Sequence, residues 1–427
     1  MQNANQMETY GKILLIAMPI FLLLVLAEKF YGIYRGNDTV RNMDMISSLS
    51  SGLTNVTKDV LGLSIVLLSY EWMVQHWALM QIHSAFWMYF AAFIALDFMG
   101  YWVHRIQHRV NFFWNAHLVH HSSEEFNLAC ALRQSISSIV RIFTIFLLPA
   151  ALLGVPAKVI AVVAPLHLFA QFWYHTRHIG KMGWLEHVIV TPAHHRVHHA
   201  INPEYMDKNF SQIFIIWDKL FGTFQEELAE VPAVYGITRP VATWNPIKIN
   251  FMHVWLLIKD AWRTQLWKDK LRIWFMPTGW RPEDVSKQYP VYKIEDVYHF
   301  SKYDTPASPG FATWIWIQML ILLLMLVHFF GNIASIGSPG IFWYGGYVFI
   351  SVYAYTELMD RNSRAWVWDL CKAGYVGFIL WQTGDWFGLS AFLPGVIYWL
   401  VAYHVLSVSI SYYYSKGFRQ PTVTAVV

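Results

Sequence analysis

The feature that most constrains this chain is a series of apolar runs, each long enough to cross a membrane as a helix. A bilayer core requires roughly 17–25 residues of helix. The runs cover residues 13–31, 60–77, 85–103, 139–174, 311–330, 341–356, 367–381 and 391–412. Because Gly154-Val155-Pro156 interrupts the fourth run, that run predicts two helices joined by a tight turn, or a re-entrant hairpin. We expect an all-α, multi-pass integral membrane bundle of roughly eight helices with its N-terminus outside.

The composition agrees with a membrane protein and narrows its partners. Of the 427 residues, 56% are hydrophobic and 14% are charged, whereas soluble domains contain about 25% charged residues. The net charge of +4 includes no basic tract, so we expect no nucleic-acid partner. Cys130 and Cys371 lie far apart, which argues against a disulfide scaffold and a thiolate metal site.

The positive charges of the loops predict the orientation. Lys and Arg follow the first run, are plentiful between residues 175 and 302, and recur at Arg361, Arg364 and Lys416. The alternate loops at 75–84, 332–339 and 384–389 contain neither residue. By the positive-inside rule the basic loops are cytoplasmic. The expected location is the cytoplasmic membrane of a bacterium or the endoplasmic reticulum membrane of a eukaryote.

Histidines are concentrated in the middle of the chain. Of the 19 histidines, 13 lie between His104 and His199. Three groups have the spacing of metal ligands: His104 and His108; His117, His120 and His121; and His194, His195, His198 and His199. Residues at i, i+3 and i+4 share one face of a helix, so each group can direct two or three imidazoles into one cavity. We interpret the isolated histidines, including His167 and His178, as structural.

The crossings are expected to bring these groups together. His175 ends the hairpin, so it returns to the membrane side of the three groups, and we expect all four elements at one cytoplasmic mouth. Unpaired imidazoles packed there would be costly without a metal. Imidazole binds zinc, copper, iron and nickel, and a structural zinc takes four ligands. The larger number of histidines indicates two metals with open positions, which favours two irons in an oxidation.

Read in order, these positions resemble the histidine boxes of the fatty acid hydroxylase and sterol desaturase superfamily. The matching residues are Asp97, Tyr101, His104, Arg105, His108, His117, His120, His121, His195, His198 and His199, with Asn209 ten residues after the last box. The match covers roughly residues 85–224. The resemblance implies that the iron ligands are His104, His108, His117, His120, His121, His175, His195, His198 and His199. His194 is expected to be a further ligand or a residue next to the ligands.

The segments around the boxes are similar to the alkylglycerol monooxygenases within this superfamily. The similar segments are residues 120–128, 131–135, 191–199, 207–210, 216–224, 235–238 and 245–248. The resemblance implies hydroxylation by molecular oxygen of the alkyl carbon next to the ether bond of an alkylglycerol. The products would be an aldehyde and a glycerol derivative, and the electron donor would be tetrahydrobiopterin, although the residues themselves identify no donor. Arg109 departs from the family pattern, because the animal enzymes carry Glu there.

Two alternatives remain open from the residues. One is a hydroxylase or desaturase of a sterol, carotenoid or fatty acyl lipid that uses the same boxes. The other is a membrane metal carrier, for example of zinc, although ligands for transport should line a path through the bilayer.

A metal-bound histidine usually donates its second ring N–H to a carboxylate or carbonyl. We therefore expect acceptor residues beside the ligands. Of the nearby acids we favour Asp97 and Asp207 for this role. Asp97 lies two turns before His104 on one helical face, and Asn209 is placed in the same outer layer.

The chain is predicted to divide into four parts. These are N-terminal membrane helices (1–84), a catalytic core (85–224), a cytoplasmic cap or plain connector (225–308) and C-terminal membrane helices (309–427). The cap is expected to lie along the membrane over the substrate entrance.

Overall fold

The computed structural model describes residues 2–418, so the last nine residues of the predicted C-terminal part lie outside it. The chain is mostly helical in this range, and its strands are short. Its helices are α1 (Gln2–Tyr34), α2 (Asn42–Val60), α3 (Tyr70–Trp77), α4 (Ala85–Arg109), α5 (Asn111–His121), α6 (Leu148–Leu152), α7 (Ala157–Phe169), α8 (Pro192–His199), α9 (Ile216–Leu220), α10 (Pro246–Arg263), α11 (Trp267–Arg272), α12 (Glu283–Gln288), α13 (Pro309–Gly331), α14 (Ile333–Met359), α15 (Ala365–Thr383), α16 (Leu389–Phe392) and α17 (Val396–Gly417). Three short 3-10 helices occupy Cys130–Leu132, Phe143–Leu147 and Gly183–His187.

Four of these helices are long and apolar enough to cross a membrane. They are Glu8–Tyr34, Ala85–Arg109, Pro309–Gly331 and Val396–Gly417. The prediction of a multi-pass helical membrane protein is therefore confirmed. The predicted runs at 341–356 and 367–381 lie in α14 and α15, which pack between the long apolar helices. Neither helix is among the four candidate spans, and α15 contains Asp369 and Lys372.

The predicted crossing at residues 60–77 is wrong. Gly62 adopts a left-handed conformation with φ of +65° just after α2, and strand β1 (Ile65–Val66) pairs in parallel with β2 (Val140–Arg141). The 8 residues of α3 follow and rise only about 12 Å, whereas the bilayer core measures about 30 Å. The glycine and the short strand divide an apolar run that hydrophobicity alone presents as continuous.

The run at 139–174 forms a short hairpin rather than two crossings. The predicted tight turn is present, with Gly154 at φ +69°. Its second arm, α7, has 13 residues, and its first arm combines a 3-10 helix with α6. Neither arm reaches the roughly 20 residues that a crossing requires. The described residues therefore contain fewer crossings than the expected count, and the re-entrant alternative describes this segment.

Helix α2 is a buried polar helix that the sequence does not predict. Ser47 donates to the Trp244 carbonyl at 2.8 Å, and the Ser51 hydroxyl donates to the Gln134 carbonyl at 3.0 Å. Thr54 and Thr57 are also fully buried. The helix packs against α10, α13 and α14, so it joins the histidine-containing core to the C-terminal helices.

The ends of the helices meet in a way that defines two sides of the bundle. On the side of the histidine-bearing end of α4, Arg41 after α1 pairs with Asp304 before α13 at 2.8 Å. On the same side Phe311 at the start of α13 packs on Tyr414 near the end of α17, with ring centroids 5.1 Å apart. On the opposite side the Leu79 amide, before α4, donates to a carbonyl at the hairpin turn. The basic loops thus lie on the histidine side.

Candidate metal centre

Three helices, α4, α5 and α8, position the histidines of the three boxes. His104 and His108 lie in the last turns of α4. Val110 has an extended backbone conformation and separates α4 from α5. The third group lies on α8, which starts with Pro192 at its first turn, where a missing N–H costs nothing. The spacing of four residues within each helix places the paired imidazoles on one face. The local sequence therefore aims each pair at a common point.

Five histidines form the first cluster, which we call the five-histidine site. Its members are His104, His108, His117, His121 and His198. Nε2 of His121 lies 3.2 Å from Nε2 of His108, 3.1 Å from that of His117 and 3.1 Å from that of His198. Nε2 of His104 lies 2.9 Å from that of His117. All three boxes thus contribute to one convergence of ring nitrogens.

Four histidines form the second cluster, the four-histidine site. Its members are His120, His175, His195 and His199. Nε2 of His195 lies 2.8 Å from that of His175 and 3.1 Å from that of His199, and His175 lies 3.3 Å from His120. The two sites adjoin, since the rings of His121 and His199 stack with centroids 4.3 Å apart. The structure brings together all nine residues that the resemblance implied as ligands.

The spacing of these nitrogens fits metal coordination better than hydrogen bonding. One proton on Nε2 of His121 can bridge to only one of its three neighbours, yet all three lie within 3.2 Å. Nitrogens about 2.1 Å from a shared ion lie about 3.0–3.4 Å apart in octahedral or tetrahedral coordination. The observed separations match this edge length. The donor set is all imidazole, which suits a transition metal and not magnesium or calcium.

Burial keeps the clustered imidazoles neutral. It lowers the pKa of His120 to about 3 and that of His175 to about 3. For His199, burial and then the charge of a protonated His120 hold the pKa well below its usual range. Since a metal binds the neutral imidazole, the lone pairs are available at neutral pH.

Backbone carbonyls fix the tautomer of three of the rings. Nδ1 of His104 donates to the Phe210 carbonyl at 2.7 Å, Nδ1 of His198 to the Lys208 carbonyl at 3.0 Å, and Nδ1 of His175 to the Gln171 carbonyl at 3.0 Å. A carbonyl only accepts, so the proton sits on Nδ1 and the Nε2 lone pair faces the cluster. This is the arrangement that orients metal-bound histidines.

A tight turn at residues 207–210 presents two of these carbonyls. Asp207 and Asn209 both have positive φ, at 58° and 55°. The Asn209 side chain donates to the His194 carbonyl at 3.1 Å and to the Gln225 carbonyl at 2.8 Å. His194 points away from both sites, since its Nδ1 accepts from the Thr191 amide at 3.3 Å. Asn209 and His194 therefore lie in the layer around the clusters, as residues that hold backbone.

The two favoured carboxylates occupy different places. Asp207 lies 3.6 Å from Nδ1 of His108 and 3.3 Å from Nε of Arg109, so it is beside a clustered histidine. Burial alone would raise the pKa of Asp207, but the hydrogen bond and charge of His108 and the charge of Arg109 lower it. Arg109 therefore balances the Asp207 carboxylate.

Asp97 does not have the predicted contact with a clustered histidine. It is fully buried and accepts from Nε2 of His167 at 3.0 Å, from the Ile213 and Phe214 amides and from Nε1 of Trp217. Asp97 shares the helical face of His104 but lies two turns, about 10.5 Å, before it. It therefore meets the Ile213 and Phe214 amides, whereas His104 meets the Phe210 carbonyl. Asp97 therefore anchors the chain that follows the third box, one layer outside the clusters.

Sequence reasoning missed two further anchors. Asp218 is fully buried and accepts from the Phe210 amide at 2.8 Å, and its only signal was its place in a segment similar to the family. Asp44 on α2 accepts from Arg133 at 2.7 Å and from Ser123 at 2.8 Å. The sequence around Asp44 does not indicate a buried helix, because a polar stretch between apolar runs resembles a loop.

A cavity of about 280 Å³ opens beside the five-histidine site. His108, His121 and His198 line its inner side, and Leu118 and Leu256 are among its apolar walls. The remaining walls come largely from residues 236–293, within the predicted cap. Asp207, Arg239 and Arg281 also line the cavity, so its wall combines apolar and charged side chains.

Comparisons with known proteins agree with this geometry. The fatty acid hydroxylase family model matches residues 89–223. The chain is 33% identical to the alkylglycerol monooxygenase of Homo sapiens over 83% of this chain and 80% of that protein. It is 31% identical to that of Danio rerio, over 90% and 87% of the two chains. It is also 28% identical to the ornithine lipid hydroxylase of Rhizobium tropici, over 38% of this chain and 51% of that one. No solved structure matches the chain. The chain, with its fatty acid hydroxylase match at residues 89–223, belongs to the alkylglycerol monooxygenase family.

Proposed function

We propose that the chain is a di-iron monooxygenase that hydroxylates the alkyl carbon next to the ether bond of an alkylglycerol lipid. The observation that carries the proposal is the pair of adjoining imidazole clusters, of five and four residues, beside a cavity whose wall is apolar in its larger part. Membership of a family of lipid monooxygenases supports the reaction class. The ether substrate is carried over from the relatives' name.

The nine clustered histidines would hold two irons, one at each site. When bound, the irons would supply the reduction of molecular oxygen that inserts one oxygen atom into the C–H bond. The protein residues keep the Nε2 lone pairs in place through the carbonyls of Lys208, Phe210 and Gln171. The assignment to iron follows from the oxidative chemistry of the family, since imidazole alone does not select iron over zinc.

The proposed reaction is balanced by a two-electron donor. One oxygen atom enters the alkyl carbon, and the other leaves as water with two electrons and two protons from the donor. The hydroxylated carbon next to an ether oxygen is a hemiacetal, which breaks its C–O bond to give an aldehyde and a free glycerol hydroxyl. We infer tetrahydrobiopterin as the donor from the family resemblance alone.

The cavity suits the alkyl chain of such a lipid. Leu118, Ile237, Val241, Leu256 and Leu257 line it, so a hydrocarbon chain would lie against apolar walls while its ether carbon approaches the five-histidine site. The basic loops on the same side as the clusters support a cytoplasmic orientation for this mouth. The bilayer would then supply the substrate laterally.

A second candidate is hydroxylation of a fatty acyl lipid at the same centre. The match to an ornithine lipid hydroxylase covers the central part of the chain, where the boxes lie. That reaction would yield a hydroxylated lipid without cleavage. A metal carrier is less favoured, because the two clusters lie together at one end of the bundle and not along a path between its ends.

Lipid analysis of a host that expresses the protein tests the proposal. Expression of wild type should deplete ether lipids and release long-chain aldehydes, and His120→Ala should abolish both changes. His178→Ala is the matched control, because His178 lies outside both clusters. Hydroxylated acyl lipids without aldehydes would replace the proposal with the second candidate, and unchanged lipids with an iron-loaded protein would contradict both.

A further inference from the structure

The cap region, residues 225–308, presents an apolar surface that the described part of the chain leaves uncovered. On α10, Phe251 is 44% exposed, Trp255 58%, Ile258 42% and Trp262 85%. Their spacing of four, three and four residues places them on one face of the helix. A solvated helix of a soluble domain would carry polar residues there.

The opposite face of the same helix lines the cavity of the metal centre. Met252, His253, Leu256 and Leu257 point into that cavity, and Nε2 of His253 donates to the Asn111 carbonyl at 2.9 Å. Helix α10 is therefore a wall one helix thick. Its inner face contacts the cavity, and its outer face is aromatic and exposed.

Helix α11 extends the exposed face. Trp267 is 76% exposed, Leu271 70%, and Phe275 just after the helix 72%. We call these seven residues the cap surface: Phe251, Trp255, Ile258, Trp262, Trp267, Leu271 and Phe275.

The cap surface is attached to the end of a membrane helix. The Asn111 amide donates to the Met276 carbonyl at 3.0 Å, and the Phe112 amide donates to the Trp274 carbonyl at 3.0 Å. These residues directly follow α4, whose span ends at Arg109. Phe112 is itself 46% exposed, so the apolar surface continues from the membrane helix onto the cap. The cap surface therefore lies beside the histidine-bearing end of α4.

The charges next to the cap surface favour a lipid interface. Asp260 and Asp269 turn inward, where Asp260 binds Arg281 and Asp269 binds Arg272. Lys268 is exposed and Lys259 is half-buried next to this surface. Aromatic side chains flanked by Lys are typical of helices that lie in the membrane interface, where Lys attracts anionic lipids.

We propose that α10 and α11 insert the cap surface into the bilayer leaflet beside the metal centre, so that a single helix separates membrane lipid from the cavity. The occupant of this surface is the lipid bilayer and not a second protein chain. Insertion itself is independent of the reaction. The consequence for lipid access rests on the proposed function.

Site-specific fluorescence in the full-length protein tests the insertion. Cys371 is replaced by Ser, and Trp262→Cys is labelled with an environment-sensitive fluorophore; Cys130 is buried. The protein is placed in phosphatidylcholine nanodiscs that contain lipid with a nitroxide in its acyl chain. Lys287→Cys is the matched control on α12, since the Lys287 side chain is 74% exposed. We expect strong quenching at position 262 and weak quenching at position 287.

Equal quenching at the two positions would overturn the proposal. A probe at 262 that is shielded from water but not quenched by the nitroxide lipid would indicate a protein partner, and would also overturn it. Because the measurement needs no turnover, an inactive enzyme leaves its result valid.

A kinetic measurement tests the consequence for lipid access. In the double variant Trp255→Ser/Trp262→Ser, we expect a several-fold rise in KM for a bilayer-embedded ether lipid, with kcat and iron content unchanged. An unchanged KM would contradict the access role of the cap surface while leaving the proposed reaction in place.

Discussion

Nδ1 of His104 donates to the Phe210 carbonyl at 2.7 Å, across a separation of 106 residues in the chain. This bond joins the first histidine box to the turn that follows the third. In the same turn the Lys208 carbonyl accepts from Nδ1 of His198. The geometry of the five-histidine site therefore depends on the backbone of residues 207–210 as well as on the imidazoles.

Asn209→Ala should weaken metal binding through this turn. The change removes the hydrogen bonds to the His194 and Gln225 carbonyls and places Ala at a φ of 55°, which only Gly and Asn adopt readily. We expect a roughly 10–100-fold loss of iron affinity, measured as iron content against chelator concentration. Asn209→Gly keeps the backbone conformation available, so it should lose less; an Ala variant that retains iron like wild type would contradict this role.

Asp207→Asn should also lower iron affinity, because the carboxylate lies beside Nδ1 of His108. Loss of the negative charge makes the His108 imidazole a weaker donor to a metal, and we expect an effect of roughly 10-fold or more. Arg109→Gln is the matched control. Arg109 contacts the same carboxylate but is 54% exposed, so its loss should change affinity only slightly. The same titration checks both variants, and equal losses would contradict the distinction.

Asp44→Ala should strongly destabilise the protein. Asp44 and Arg133 form an ion pair with side chains that are 4% and 3% exposed, and removing one partner of a buried pair costs about 3–5 kcal/mol. The expected result is a lower melting temperature in detergent together with loss of metal, since Ser123, two residues after the second box, donates to Asp44. The double variant Asp44→Leu/Arg133→Met should recover much of the stability. Failure of that recovery would show that the pair has a role beyond its own charges.

The apo-protein should lose stability as the pH falls from about 7 toward 5. Burial lowers the pKa of His120 and His175 to about 3, whereas their pKa in the unfolded chain is about 6.5. Below about pH 6.5 the unfolded chain therefore binds protons that the folded chain excludes. The free energy of unfolding falls by up to about 1.4 kcal/mol per pH unit for each histidine. Melting temperatures across this range measure the slope.

His120→Gln removes one of these titrating groups, so its melting temperature should depend less steeply on pH. His299→Gln is the control, since the His299 side chain is 82% exposed and lies outside both clusters. Identical slopes for wild type and His120→Gln would contradict the account.

Several parts of the fold and centre follow from the sequence for identifiable reasons. The i, i+4 spacing of His104 and His108 determines a shared helical face, and the Gly-Pro interruption at Gly154 determines a turn. The crossing at residues 60–77 failed because hydrophobicity does not report that Gly62 ends a helix and that Ile65 pairs with a distant strand. Asp97 was misplaced for a related reason, since helical periodicity gives a face but not the neighbour that covers it. Asp44 and Asp218 depend on tertiary contacts alone.

The most direct test of the central claim is turnover by the purified, iron-loaded protein. The protein is reconstituted in nanodiscs with an alkylglycerol, oxygen and reduced tetrahydrobiopterin, and the products are identified by mass spectrometry alongside oxygen consumption. We predict a long-chain aldehyde that retains the carbon number of the alkyl group, one molecule for each oxygen consumed, and no product from His120→Ala. An iron-loaded, reduced protein that leaves the alkylglycerol intact would contradict ether-lipid cleavage.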